Sequence, residues 1–122
     1  MSLFRGIPIH VHAALEIVAA PLLLVAPFAL GFSELAGALS IALGVLLTGL
    51  AVSVYGGQGE RGNVPLTAHA GFDYMLAAIT ITIGIVVGLV AQDLVATVFL
   101  VGFGTAHLAL TASTRFSRPL GA

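Results

Sequence analysis

The chain has 122 residues, 59% of them hydrophobic, and its charged side chains are four arginines and five acids, with no lysine and no cysteine. Soluble domains are about one quarter charged, so this composition excludes a lone water-soluble domain, and four arginines against five acids leave no basic patch for nucleic acid. The lack of cysteine removes disulfides, thiolate chemistry and cysteine-ligated zinc, and what remains is a small integral membrane protein.

Four apolar stretches follow one another: roughly 9–31, 35–54, 66–90 and 94–113. A helix rising ~1.5 Å per residue needs about 20 residues to cross a ~30 Å hydrocarbon core, and each stretch has that length. Strict apolar–polar alternation is missing, so strands are a poor alternative, and a backbone in lipid must satisfy its own hydrogen bonds. Gly31-Phe32-Ser33-Glu34 reads as a tight turn with Ser33 as the N-cap of the second helix. The Gly-rich run from Gly56 to Asn63 is the one long loop, and Gln92-Asp93 is the third break, with Asp93 as a cap. Pro8 and Pro65 fall at helix starts, where a missing N–H costs little. Pro21 and Pro27 lie inside the first helix and are expected to bend it.

The first segment lacks a charged start followed by a small-residue cleavage site and is long enough to span, so it is read as a helix rather than a signal peptide. Arg5, Arg61, Arg115 and Arg118 all fall on one side of an even-spanning bundle, whereas the other two turns hold Glu34, Gln92 and Asp93. The positive-inside rule puts the termini and the long loop in the cytoplasm, as in a multi-pass protein of a bacterial inner membrane.

Laid 57 positions apart, the two halves match: Ile7-Pro8-Ile9 with Val64-Pro65-Leu66, His12-Ala13 with His69-Ala70, Glu16 with Asp73, Gly31 with Gly88. The expected fold is all-α, a four-transmembrane-helix bundle in one domain, built from two tandem hairpins at about 7–55 and 64–114. Within the first hairpin, Ala26-Pro27-Phe28-Ala29-Leu30-Gly31-Phe32-Ser33-Glu34 and the small-residue helix after it resemble the SPW repeat of small bacterial membrane proteins. Ala26-Pro27-Phe28 stands where that repeat has Ser-Pro-Trp, and the second hairpin has no proline at the matching place. The resemblance implies paired membrane helices and no particular chemistry. Gly84 and Gly88 have the small-xxx-small spacing that lets helices approach, and Gly37, Gly44, Gly49, Gly102 and Gly104 could serve likewise.

Ionisable groups inside spans are costly and are functional candidates by default. His12 and Glu16, four apart, share a helix face, and His69 and Asp73 repeat the arrangement. His107 lies about as deep on the fourth helix, roughly 9 Å from its end at helical rise, and the second helix offers Thr48 near that level. His10 faces elsewhere, and Tyr55 and Tyr74 read as interface anchors or hydrogen-bond partners. Four readings compete for this cytoplasmic-side cluster. Each acid could bond the histidine one turn away in a structural role. His12 and His69, with His107 nearby, could ligate haem b. His12, Glu16, His69, Asp73 and His107 could hold a transition metal such as Zn, Fe, Mn or Cu, although their order and spacing differ from the Glu-x-x-His pattern of di-iron bundles. A proton relay is the fourth, and it lacks ionisable stepping stones in the outer half. No nucleophile elbow or phosphate loop is present. The expectation is a non-enzymatic accessory or scaffold subunit in the bilayer, packed against other membrane subunits or its own copies, with a haem- or metal-binding protein as the alternative.

Overall fold

The structure is a computed structural model and describes residues 5–56 and 65–117, without the side chains of residues 55 and 56. The long loop with Glu60 and Arg61, the Tyr55 side chain and the Arg118-Pro119 end therefore lie outside the described residues. Four helices make up almost all of the rest: α1 (Ile9–Ala29), α2 (Glu34–Gly56), α3 (Leu66–Val90) and α4 (Leu94–Ala112). All four are long and apolar enough to cross a membrane. Their outer faces are apolar too: Val18, Phe28, Leu89 and Leu94 are each more than 70% exposed. A bundle that is apolar inside and out is stable in lipid, where no water competes for its backbone.

Local chemistry sets the helix ends. Gly31 takes φ +69° after α1, and the Phe32 N–H reaches back to the Pro27 carbonyl at 3.0 Å, a Schellman closure. After α3 that left-handed position belongs to Gln92, φ 54°. The sequence pairing of Gly31 with Gly88 does not extend to this role, because Gly88 lies within α3. Ser33 Oγ accepts the Ala36 N–H at 3.2 Å and Asp93 Oδ1 accepts the Ala96 N–H at 3.0 Å, so both expected N-caps form. Asp93 Oδ2 also accepts the Ser33 N–H at 2.7 Å, which ties the two short turns together at one end of the bundle. These backbone donors hold the Asp93 carboxyl below the usual carboxylate range.

At the other end, Ile7–Pro8 (β1) and Thr114–Arg115 (β2) form a two-residue parallel pair that the reading as purely helical did not anticipate. The Ile7 N–H donates to the Ser113 carbonyl at 3.0 Å and joins the approach to α1 with the exit from α4.

Each hairpin is locked by one hydroxyl. Pro27 has no N–H for the Leu23 carbonyl one turn back, and Ser40 Oγ of α2 donates to that oxygen at 2.7 Å. Fifty-seven positions on, Thr97 Oγ1 of α4 donates to the Gly84 carbonyl of α3, also at 2.7 Å. A Cβ at Gly84 would stand 3.1 Å from the Val101 nitrogen, and one at Gly88 would strike Thr97 Oγ1. A Cβ at Gly104 of α4 would stand 3.0 Å from the Ala77 carbonyl, and one at Gly44 would strike the Leu24 side chain between α1 and α2. Gly49 and Gly102 face open space instead, and Gly37 makes ordinary contact with Pro27. Ala20, Leu23, Leu43, Leu47, Val87 and Leu100 form the main core, and a smaller cluster of Ile9, Ala13 and Val54 packs with Leu66 and Phe116 near the termini.

Candidate metal centre

His12, Glu16, His69, Asp73 and His107 meet inside the bundle, none more than 6% exposed. The heights follow from helix position: His12 and His69 lie in the first turn of α1 and α3, the acids one turn deeper, and His107 about one turn before the end of α4. Thr48 is not part of the group; it is exposed and bonds the Gly44 carbonyl of its own helix. The residue 57 positions before His107 is Leu50, so the third imidazole has no counterpart in the first hairpin.

The expected one-turn pairs are present as ion pairs, and hydrogen bonds that cross between the hairpins are added to them. His12 Nε2 lies 2.9 Å from Asp73 Oδ2, and His107 Nε2 lies 2.9 Å from Glu16 Oε2 and 3.1 Å from Asp73 Oδ1. The same-helix contacts His12–Glu16 and His69–Asp73 are both 3.0 Å, but neither is aligned as a hydrogen bond. His69 Nε2 is also 3.5 Å from Glu16 Oε1. All three Nε2 atoms thus face the same two carboxylates. One donor atom each from His12, Glu16, Asp73 and His107 falls within 4.8 Å of every other, with His69 at the edge of this set.

Thr114 completes the site and was missed in the sequence. Its hydroxyl stands 2.6 Å from the Leu110 carbonyl and 2.8 Å from His12 Nδ1. The hydroxyl has one proton, for the Leu110 carbonyl or for His12 Nδ1. When Nδ1 accepts it, a neutral His12 donates Nε2–H to Asp73; when Leu110 accepts it, Nδ1–H donates to Thr114 and Nε2 needs a second proton or a cation to face carboxylate oxygens at 2.9 and 3.0 Å. Helical spacing from His107 does not reach Thr114, which lies past the end of α4 in β2. Phe116, also missed, packs across the His12 and His69 rings with centroids at 5.2 and 6.0 Å. It closes the site on the terminal side, and the Leu23–Leu100 core closes it on the other.

Glu16 Oε1 and both ring nitrogens of His69 make no aligned hydrogen bond, although His69 Nε2 stands 3.0 Å from Asp73 Oδ2 and 3.5 Å from Glu16 Oε1. Buried polar atoms are nearly always paired, and this network has room for a further donor or an ion. The donor set is imidazole nitrogen and carboxylate oxygen, which suits first-row divalent ions. Donors bound at about 2.1 Å to one ion stand about 3.0 Å apart at right angles and about 3.4 Å apart in a tetrahedron. Contacts of 2.9–3.1 Å are compatible with the first of these and equally with direct N–H···O hydrogen bonds, and the four-residue donor set as a whole spans up to 4.8 Å.

No protein-family model, no curated protein and no solved structure matches the chain. The fold and the site define a class all the same: a four-helix membrane protein with an enclosed histidine–carboxylate cluster near one end. Within that class, the particular assignment rests on the chemistry of the cluster.

Proposed function

We propose that this chain is an integral membrane protein that binds one first-row divalent metal ion through His12, Asp73, Glu16 and His107, with His69 as a further ligand or the partner that positions Asp73. One observation carries the reading: donor atoms of His12, Glu16, Asp73 and His107 lie within 4.8 Å of one another in a buried enclosure, and His12 Nδ1 has the Thr114 hydroxyl at 2.8 Å. Metal-ligating imidazoles are held in this way, with the other N–H given to an oxygen. Charge supports it too, because one divalent ion neutralises two carboxylates with all three imidazoles neutral, and an uncompensated charge in this enclosure would be costly. Haem fits less well. The His12 and His69 rings meet edge to face at 5.8 Å and their Nε2 atoms share Asp73 Oδ2, so a macrocycle between them would displace the carboxylate.

A role as an accessory subunit against partner proteins or further copies rests on the wide apolar surface, and metal binding gives such a subunit its chemistry. We orient the cluster toward the cytoplasm of a bacterial inner membrane, because Arg5 and Arg115 are exposed at that end and Glu34 and Asp93 lie at the other. The resemblance of 26–34 to the SPW repeat supports the paired-helix plan alone.

Elemental analysis of gently solubilised protein tests the reading. Wild type should hold about one equivalent of Zn, Mn, Fe or Cu after loading and desalting, and Asp73→Ala or His12→Ala should lose it with helix content unchanged. His10→Ala, at an exposed position, should retain it. Metal-free wild type after loading, or equal content in all three variants, would overturn it.

A further inference from the structure

The cluster is closed above and below and open on one side. His12 and His69 are 0% exposed, whereas His107 keeps 6%, and it lines a crevice of about 350 Å³ between α1 and α4. The walls are Leu15, Ala19 and Leu22 of α1, Leu47 of α2 and Phe103 and Ala106 of α4, and the floor presents Glu16 and His107. Leu15 and Leu22 are about half exposed on a helix that spans the bilayer, so the mouth opens sideways to acyl chains rather than to water.

We infer that this crevice binds an uncharged lipophile with a hydroxyl head, a long-chain phenol or alcohol, which enters from the bilayer and sets its hydroxyl on Glu16. The volume lies within the range of small-molecule pockets, which are apolar with a few placed polar groups. The ligand's chemistry follows from the floor. Glu16 Oε1 is buried and makes no aligned hydrogen bond, its one ion-pair contact being His69 Nε2 at 3.5 Å, and a hydroxyl donor satisfies it. An anionic head would meet the Glu16 and Asp73 carboxylates with no arginine among the lining residues. A cation would have to leave water to cross the acyl chains. A head-free hydrocarbon would leave Oε1 without an aligned hydrogen bond. A larger groove of about 500 Å³ between α2 and α3 provides the contrast, since it is lined by Val45, Phe72, Met75 and other apolar residues with no ionisable group. The inference goes beyond metal binding and does not depend on it, because it needs Glu16 and the crevice rather than the ion.

The test uses the full chain in phosphatidylcholine vesicles and a dodecylphenol with a diazirine at the chain end, with photolabelled sites mapped by mass spectrometry. Labelling should concentrate on the α1/α4 crevice. Excess dodecylphenol should suppress it at least tenfold, and dodecylbenzene or dodecanoate should suppress it less than twofold. Ala106→Phe, and Ala19→Phe on the facing wall, should each reduce it at least tenfold while metal content, measured on the same samples, stays unchanged. Equal labelling of the α2/α3 groove, equal competition by dodecylbenzene, or full labelling in both filled variants would overturn the inference. Specific labelling of metal-free protein would uphold it while the metal reading falls, and bound metal with indiscriminate labelling would do the reverse.

Discussion

Replacing Thr114 by Val removes one hydroxyl and keeps the side-chain shape, so it probes the metal site without opening a cavity. In the native protein the hydroxyl stands 2.8 Å from His12 Nδ1 and 2.6 Å from the Leu110 carbonyl. In Thr114→Val, His12 Nδ1 stays buried without that hydrogen bond, which costs about 1–3 kcal/mol. Loss of the group that orients a metal-bound histidine typically weakens the metal by about 10–100-fold. By linkage, metal in excess then contributes about 1.4–2.7 kcal/mol less stability than in wild type. Destabilisation should therefore be larger in loaded than in metal-free protein by that margin. Chelator competition would read the affinity, helix melts with and without metal would read the stability, and Thr114→Ser should recover most of both. An unchanged affinity, with the same loss of stability in both forms, would refute the role given to Thr114.

Ser40→Ala should destabilise the bundle by about 1–3 kcal/mol by leaving the Leu23 carbonyl unpaired beside Pro27; in a Pro27→Ala background, where position 27 regains an N–H, the same change should cost little, and equal costs in both backgrounds would contradict the account. Gly88→Ala should drive a methyl into Thr97 Oγ1 and lower the melting temperature, whereas Gly102→Ala, facing open space, should leave it equal or raise it. Asp93 holds its carboxylate below the ordinary range through the Ser33 and Ala96 N–H groups. Its contribution is full above the ordinary carboxylate range and is lost as pH falls through the lower folded-state value. Acid melts of wild type should therefore show a loss of stability that is smaller in Asp93→Ala, and parallel pH curves would contradict the clamp.

Much of this architecture was legible because lipid leaves few choices. Apolar length alone located the four spans to within a residue or two at most ends, and Ser33 and Asp93 marked caps because few residues can accept those N–H groups. The duplicated His-x-x-x-acid spacing located the polar residues by height. Partners were harder to read. The rotation of α1 against α3 and α4 depends on close approaches such as Gly104 on Ala77 and Gly84 on Val101, and spacing alone could not separate these glycines from Gly49 and Gly102. For that reason the cross-hairpin bonds His12–Asp73 and His107–Glu16 were not foreseen. Thr114 and Phe116 sit where a helix gives way to a two-residue strand, and a helical pattern carries no information past its end.

The central claim is that imidazoles and carboxylates from three helices surround one ion. X-ray absorption at the metal edge of the loaded, purified chain tests it most directly. The account predicts a nitrogen–oxygen shell at about 2.0–2.2 Å with outer-shell scattering from at least two imidazoles, reduced by one in His107→Ala. A spectrum of a hydrated ion, with no imidazole scattering, would contradict it.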